Sequence, residues 1–142
     1  MNTVAAAIAR KNFSPVTVPT GTTVLEALRI MAEKNIGSVV VMEGNTFKGI
    51  ITERDYSRKV ILKGKSSTDT RVEEIMSTDL PTAKPNDSID HCMAEMTRLN
   101  IRYMPVFDHA TLVGIISMSD VVKETILAQK ETIQQLQTYI SS

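Results

Sequence analysis

The sequence contains a single cysteine, Cys92, among its 142 residues. One thiol excludes an intramolecular disulfide and any cysteine-based metal cluster, and it suits a reducing compartment. Net charge is absent as well. Sixteen basic and sixteen acidic residues cancel, so no global field argues for nucleic acid or an anionic membrane; only a local basic patch is left to argue for phosphate. Long apolar runs are also missing. The longest, such as Ser38-Val39-Val40-Val41-Met42, are strand-sized and far short of the roughly 20 residues that span a bilayer. The opening Met1 to Lys11 lacks the long apolar run and small-residue cleavage pattern of a secretory signal. No acid appears before Glu26, while Arg10 and Lys11 are basic. Two readings follow for this stretch: a short helix packed on the domain, or a shortened organellar transit segment. The expected location is the cytoplasm, with an organelle as the alternative.

What the chain does have is an ordinary globular composition, 42% hydrophobic and 23% charged, at a length that buries a real core as one domain or two fused halves. It also repeats itself. Gly49-Ile50-Ile51-Thr52-Glu53-Arg54-Asp55 returns 65 residues later as Gly114-Ile115-Ile116-Ser117-Met118-Ser119-Asp120. At the same offset Met31, Asn35, Ile36, Val41 and Ile61-Leu62 face Met96, Asn100, Ile101, Val106 and Ile126-Leu127. Two copies at this period mean a duplicated supersecondary unit rather than a solenoid.

Each copy parses alike. Val16-Thr17-Val18 and Leu80-Pro81-Thr82-Ala83 are short extended segments. A helix follows, started by Thr23 with Glu26 three residues on, and by Asp87-Ser88 in the second copy. Val24, Leu28, Met31 and Ala32 recur at helical spacing, as do Ile89, Met93 and Met96, and Asn35 and Asn100 are expected to end the helices. Two β-rich runs around a turn come next, Glu43-Gly44-Asn45 or Asp108-His109-Ala110. Second helices are expected from Asp55 to about Leu62 and from Asp120 onward. The expected fold is therefore mixed α/β, two β-α-β-β-α repeats with extra helical segments at both ends. The divisions are 1–13 for the first segment, 14–62 for repeat 1, 63–70 for a polar linker, 71–127 for repeat 2 and 128–142 for the last segment.

The repeated motif has two compatible roles. A hydroxyl followed three positions later by an acid caps a helix start, so Thr52 and Ser117 would bond backbone amides while Asp55 and Asp120 favour the positive helix end. The glycine before it permits close approach of another backbone or of a ligand. Amides left free at the helix start suit a phosphate, and the carboxylate suits ribose hydroxyls.

The doubled unit, the stretch Asn100-Ile101-Arg102-Tyr103-Met104-Pro105-Val106 and the two G-I-I-[ST]-x-x-D endings resemble a pair of cystathionine β-synthase (CBS) domains, a Bateman module, over about residues 14 to 127. The segment from Ile50 to Lys59 resembles small stand-alone CBS-pair proteins. The resemblance implies two repeats packed through their sheets, two clefts, and a homodimer. It implies an adenosine-containing ligand: AMP, ADP, ATP, S-adenosylmethionine or a dinucleotide such as NAD. By the same resemblance Asp55 and Asp120 hold ribose hydroxyls, with Thr52 and Ser117 near phosphate or ribose. Ile36, Gly37 and Ser38, and Arg102, Tyr103, Met104 and Pro105, wall the adenine. Thr17-Val18 and Thr82-Ala83 supply backbone contacts to the base edge.

The copies differ: the first reads NIGSVVV, without the arginine and proline, but offers Arg54, Arg58 and Lys59. Arg54 and Arg58 share a helical face, either as a phosphate clamp or as a solvated basic face. His91, His109 and Cys92 lack the convergent partners that a metal or Cys-His site needs, and the methionines read as core fillers. Ile126, Ile133 and Ile140 recur every seven residues, which suits either a short dimer seam or a helix packed on its own module. The functional expectation is a non-enzymatic regulatory module with an unidentified regulated partner and no metal, nucleic acid or membrane. A structural or interaction homodimer with vestigial clefts is the alternative.

Overall fold

The computed structural model describes residues 2–11 and 14–141. Residues 1, 12, 13 and 142, all within the expected terminal segments, lie outside the described residues. The elements run α1 (Val4–Arg10), β1 (Thr17–Pro19), α2 (Val24–Lys34), β2 (Ser38–Glu43), β3 (Thr46–Thr52), α3 (Glu53–Lys59), a 3₁₀ turn (Ile61–Lys63), α4 (Val72–Ile75), α5 (Ile89–Leu99), β4 (Tyr103–Asp108), β5 (Thr111–Ser117) and α6 (Met118–Ser141). They form two compact units. One is Pro15–Leu80; the other joins the N-terminal segment to everything from Pro81 onward.

In each unit a hairpin carries the sheet, with a register shift at Val41/Met42 and at Val106/Phe107. Positions 65 apart thus share even the irregularity. Thr23 and Ser88 cap α2 and α5 through their hydroxyls, and Asn35 and Asn100 end them in the left-handed conformation at φ 54°, which a short polar side chain tolerates. The cores match as well. Val18, Val24, Ala27, Met31, Val39, Val41 and Ile51 pack together in one unit. Their counterparts Ala83, Ile89, Cys92, Met96, Met104, Val106 and Ile116 do so in the other.

The first strand survives only once. β1 runs parallel to β2, while the equivalent second-copy segment makes a single bridge, Ala83 to Val106. Two prolines explain the loss. In the first copy the Val40 amide donates to Val16 and the Thr20 amide to Met42. The residues 65 positions on from these donors are Pro105 and Pro85, which have no N–H to give.

Two helices are exchanged between the copies. α4 lies inside the stretch 71–127 expected for the second copy yet buries Val72 and Ile75 in the core of the first; α1 lies ahead of the first copy yet buries Val4 and Ala7 in the core of the second. Each pairs with the cap of its new host through the bridges Thr23–Arg71 and Thr3–Ser88. The polar 63–70 stretch is a folded connection. Thr70 and Ser67 carbonyls accept from the Val24 and Leu25 amides, satisfying donors that a helix start leaves orphaned.

Candidate functional site

The turn from β3 into α3 and the turn from β5 into α6 share one construction. Asp55 Oδ2 accepts from the Thr52 amide (2.9 Å) and Thr52 Oγ1 accepts from the Asp55 amide (3.1 Å). Asp120 Oδ2 and Ser117 Oγ repeat the exchange at 2.8 and 3.1 Å. This is a reciprocal capping box. Each turn is further stapled to the loop ahead of its hairpin, since the Glu53 amide donates to the Gly37 carbonyl and the Met118 amide to that of Arg102. Two first-turn amides are therefore already committed at each turn, so the anion cradle expected from free amides is smaller than the motif suggests.

Both aspartates also hold a lysine. Asp55 is buried, and its Oδ1 faces Lys59 Nζ at 3.1 Å and accepts from Ser77 Oγ at 3.4 Å. Lys59 Nζ also donates to the Ile75 carbonyl (2.8 Å), which ties the expected phosphate ligand Lys59 to α4 and the cap. Lys11, from the end of α1, reaches Asp120 Oδ2 at 2.9 Å and the Ile115 carbonyl at 3.0 Å. Sequence reasoning missed Lys11 because its partner lies more than a hundred residues away. The two carboxylates differ in one respect: among the described residues nothing donates to Oδ1 of Asp120, whereas both oxygens of Asp55 are engaged.

The glycine approach is resolved in favour of protein. A Cβ on Gly49 would meet the Ser77 carbonyl oxygen at 2.7 Å, and one on Gly114 would meet Ile8 Cδ1 at 2.8 Å. The chain just after α4 and helix α1 take up the space that the missing side chains leave.

The register brings Ser38 opposite Thr52 and Tyr103 opposite Ser117, so Ile36, Gly37 and Ser38 gather at the first turn, with Arg102 and Tyr103 at the second. Met104 does not join them. Strand alternation points it into the core, fully buried, and Pro105 is buried as well. Val18 and Ala83 are likewise inner residues. The Ala83 amide donates to the Pro105 carbonyl and its carbonyl accepts from Phe107, so its backbone is spent on β4; Thr17 and Thr82 are the exposed members of their pairs. Arg54 and Arg58 lie one turn apart on α3, Arg58 exposed.

Cys92 is a core residue whose thiol is pushed up to about 11 by burial and then by the Asp87 charge. His109 sits in the hairpin turn at φ 56°. Among the described residues no three His, Cys, Asp or Glu side chains converge as a metal site, and no helix is long and apolar enough to cross a membrane. One buried carboxylate had no signal in the sequence: Glu124 on α6, held by Arg10 and by Asn2 Nδ2 at 2.8 Å, fastens α1 to α6.

Comparison with known proteins agrees with this doubled architecture. The family model for the CBS domain matches residues 5–61 and 72–126. The mitochondrial CBS domain-containing protein CBSX3 of Arabidopsis thaliana is 38% identical over 126 residues, 85% of this chain, which spans only 61% of that relative's length. A solved CBS-domain protein from Burkholderia ambifaria is 42% identical and superposes with a TM-score of 0.84, over 90% of this chain and 96% of that one. A further CBS domain pair, solved in complex with 5′-methylthioadenosine and S-adenosyl-L-methionine, is 26% identical with a TM-score of 0.75, over 92% of this chain and 98% of that one. Two copies of one capped strand-to-helix turn on two matching cores, each found by the same family model, leave one assignment: the chain belongs to the CBS-domain family and carries a pair of CBS domains.

Proposed function

We propose that this CBS pair is a non-catalytic regulatory module. It binds an adenosine-containing ligand (AMP, ADP, ATP, NAD or S-adenosylmethionine), works as a homodimer, and modulates a partner protein through a ligand-linked change of conformation. Asp120 carries the reading. Its Oδ2 is fixed by the cap and by Lys11, and its Oδ1 is left to accept from a ligand hydroxyl beside the Ser117 hydroxyl. A carboxylate held in place before the ligand arrives suits a ribose diol, because its own ordering cost is already met. The solved CBS pair with two adenosyl ligands supports the ligand class. Regulation then needs only that the ligand prefer one conformation of the module, since differential affinity is what shifts an equilibrium. No metal, nucleic acid or membrane takes part in this scheme. Its compartment is the cytoplasm, or an organelle as the Arabidopsis relative's name gives for that protein.

Titration calorimetry with each of the five ligands tests the proposal. Asp120→Asn should weaken the bound ligand at least tenfold, and Asp55→Asn should have a smaller effect. No heat from any ligand at millimolar concentration would overturn it. A second reading, in which the clefts are vestigial and the protein serves only interaction, is favoured at the first turn, where Lys59 and Ser77 already engage Asp55. Under it neither substitution would change any affinity, and each would only weaken the cap.

A further inference from the structure

α6 continues well beyond its unit. Val121 and Glu124 are its buried residues, and from Gln129 to Ser141 every residue is exposed. Of the two readings of this end, packing on its own module does not hold for these residues. Most helical stability in proteins comes from packing an apolar face rather than from propensity. The surface of α6 is also apolar in a regular pattern. Val122 (44% exposed), Ile126 (46%), Ile133 (53%), Leu136 (56%) and Ile140 (79%) lie open. With Gln129 they fill consecutive a and d positions of a heptad: Ile126, Ile133 and Ile140 at a, and Val122, Gln129 and Leu136 at d.

We propose that this face of α6 pairs with the same face of a second copy of the chain as a parallel two-stranded coiled coil. The proposal deepens the homodimer part of the function proposed above. Three observations select this occupant. All three a positions are isoleucine and Leu136 holds one d position, the combination that favours two parallel strands, while Val122 and Gln129 hold the other two. The flanking e positions are Lys123, Lys130 and Gln137, and the g positions are Thr125, Thr132 and Tyr139. In a parallel pair g faces e of the partner, so Lys130 meets Thr125 and Lys123 meets Met118, and no like charges oppose. An antiparallel pair would set the lysine edge against its own copy. Finally, a groove of about 510 Å³ flanks the seam on its g side, between Thr125, Thr132 and Ile133 of α6 and Ile89 and Asp90 of α5. A parallel partner helix brings its Lys130 beside Thr125, at the edge of this groove, whose lining also includes Asp90.

Sedimentation of the full chain, with and without Ile133→Asp, tests the seam. The expected result is a mass of two chains for the parent protein and one for the variant at the same micromolar concentration. The orientation is read from Ile133→Cys and Gln134→Cys under mild oxidation. Cys92 is buried, so the introduced thiol is the reactive one. A parallel in-register a position brings two Cα atoms within disulfide range, so Ile133→Cys should cross-link and Gln134→Cys, facing away, should not. A parent protein of one-chain mass at every concentration would overturn both the homodimer and the seam. A dimer that persists in Ile133→Asp would overturn the seam alone, and equal cross-linking at the two positions would overturn the orientation. Calorimetric ligand affinity measured on Ile133→Asp keeps the ligand proposal separate from this one.

Discussion

Alanine at Gly49 places its methyl carbon 2.7 Å from the Ser77 carbonyl oxygen and 2.9 Å from Met76 Sδ. The methionine can turn aside, but the carbonyl cannot. It accepts from the Ile50 amide at 3.1 Å, and the Ser77 amide donates back to Ile50 at 2.9 Å. The strand end and the chain after α4 must separate, which strains packing by about 1–3 kcal/mol and weakens two hydrogen bonds of about 0.5–1.5 kcal/mol each. A loss of roughly 3 kcal/mol is expected. Gly114→Ala is the internal control. Its methyl meets Ile8 Cδ1 at 2.8 Å and Cγ2 at 3.2 Å, and a side-chain end can rotate away, so about 1 kcal/mol is expected. Neither glycine has a positive φ, so the difference isolates what the methyl meets. Urea denaturation of both variants reads the two values. Adding Met76→Ala to Gly49→Ala should not restore stability, whereas Ile8→Val should recover much of the loss in Gly114→Ala. Equal costs at the two glycines, or a smaller one at Gly49, would refute the argument that a backbone obstacle differs from a side-chain one.

Lys11→Met strips Asp120 of its cation and should destabilise the protein by about 1–3 kcal/mol, read as a lowered urea midpoint; an unchanged midpoint would show the ion pair to be idle. Because the Cys92 thiol is raised from 9.0 to about 11 in the folded state, the unfolded chain loses its proton first as pH rises. The contribution of Cys92 to stability is thus complete below about pH 9 and is lost as pH climbs to about 11. Ellman's reagent should accordingly leave the native protein unlabelled near pH 8 and react fully in denaturant. Replacing Asn35 or Asn100 with Gly should leave thermal stability level or raised, while Ala should cost about 1–2 kcal/mol, because only the latter pays for the left-handed backbone.

Helix caps, left-handed ends and the hydrophobic period are local signals. Thr23, Ser88, Asn35 and Asn100 were therefore legible as helix boundaries, and the 65-residue offset carried the duplicated core with them. The capping role of Thr52-Asp55 and Ser117-Asp120 was legible for the same reason. The site was only half legible. Met104 matches a family binding motif, yet strand alternation turns it inward, and Lys59 lies one turn from Asp55, which claims it before any phosphate does. The polar stretch 63–70 reads as a linker because it meets α2 through backbone carbonyls, at Ser67 and Thr70, which leave no mark in its composition.

By itself the sequence determined that one supersecondary unit is built twice, where the first helix of each copy begins and ends, and that a hydroxyl and an aspartate stand at both strand-to-helix turns. Each of these rests on residues a few positions apart. Only the tertiary structure decided that α1 serves the second copy and α4 the first, that Lys11 closes on Asp120, and that Gly49 and Gly114 make room for the chain after α4 and for α1. It also decided that Pro85 and Pro105 together reduce a strand to one bridge. These outcomes depend on which distant segment arrives at a surface, and local pattern carries no record of that.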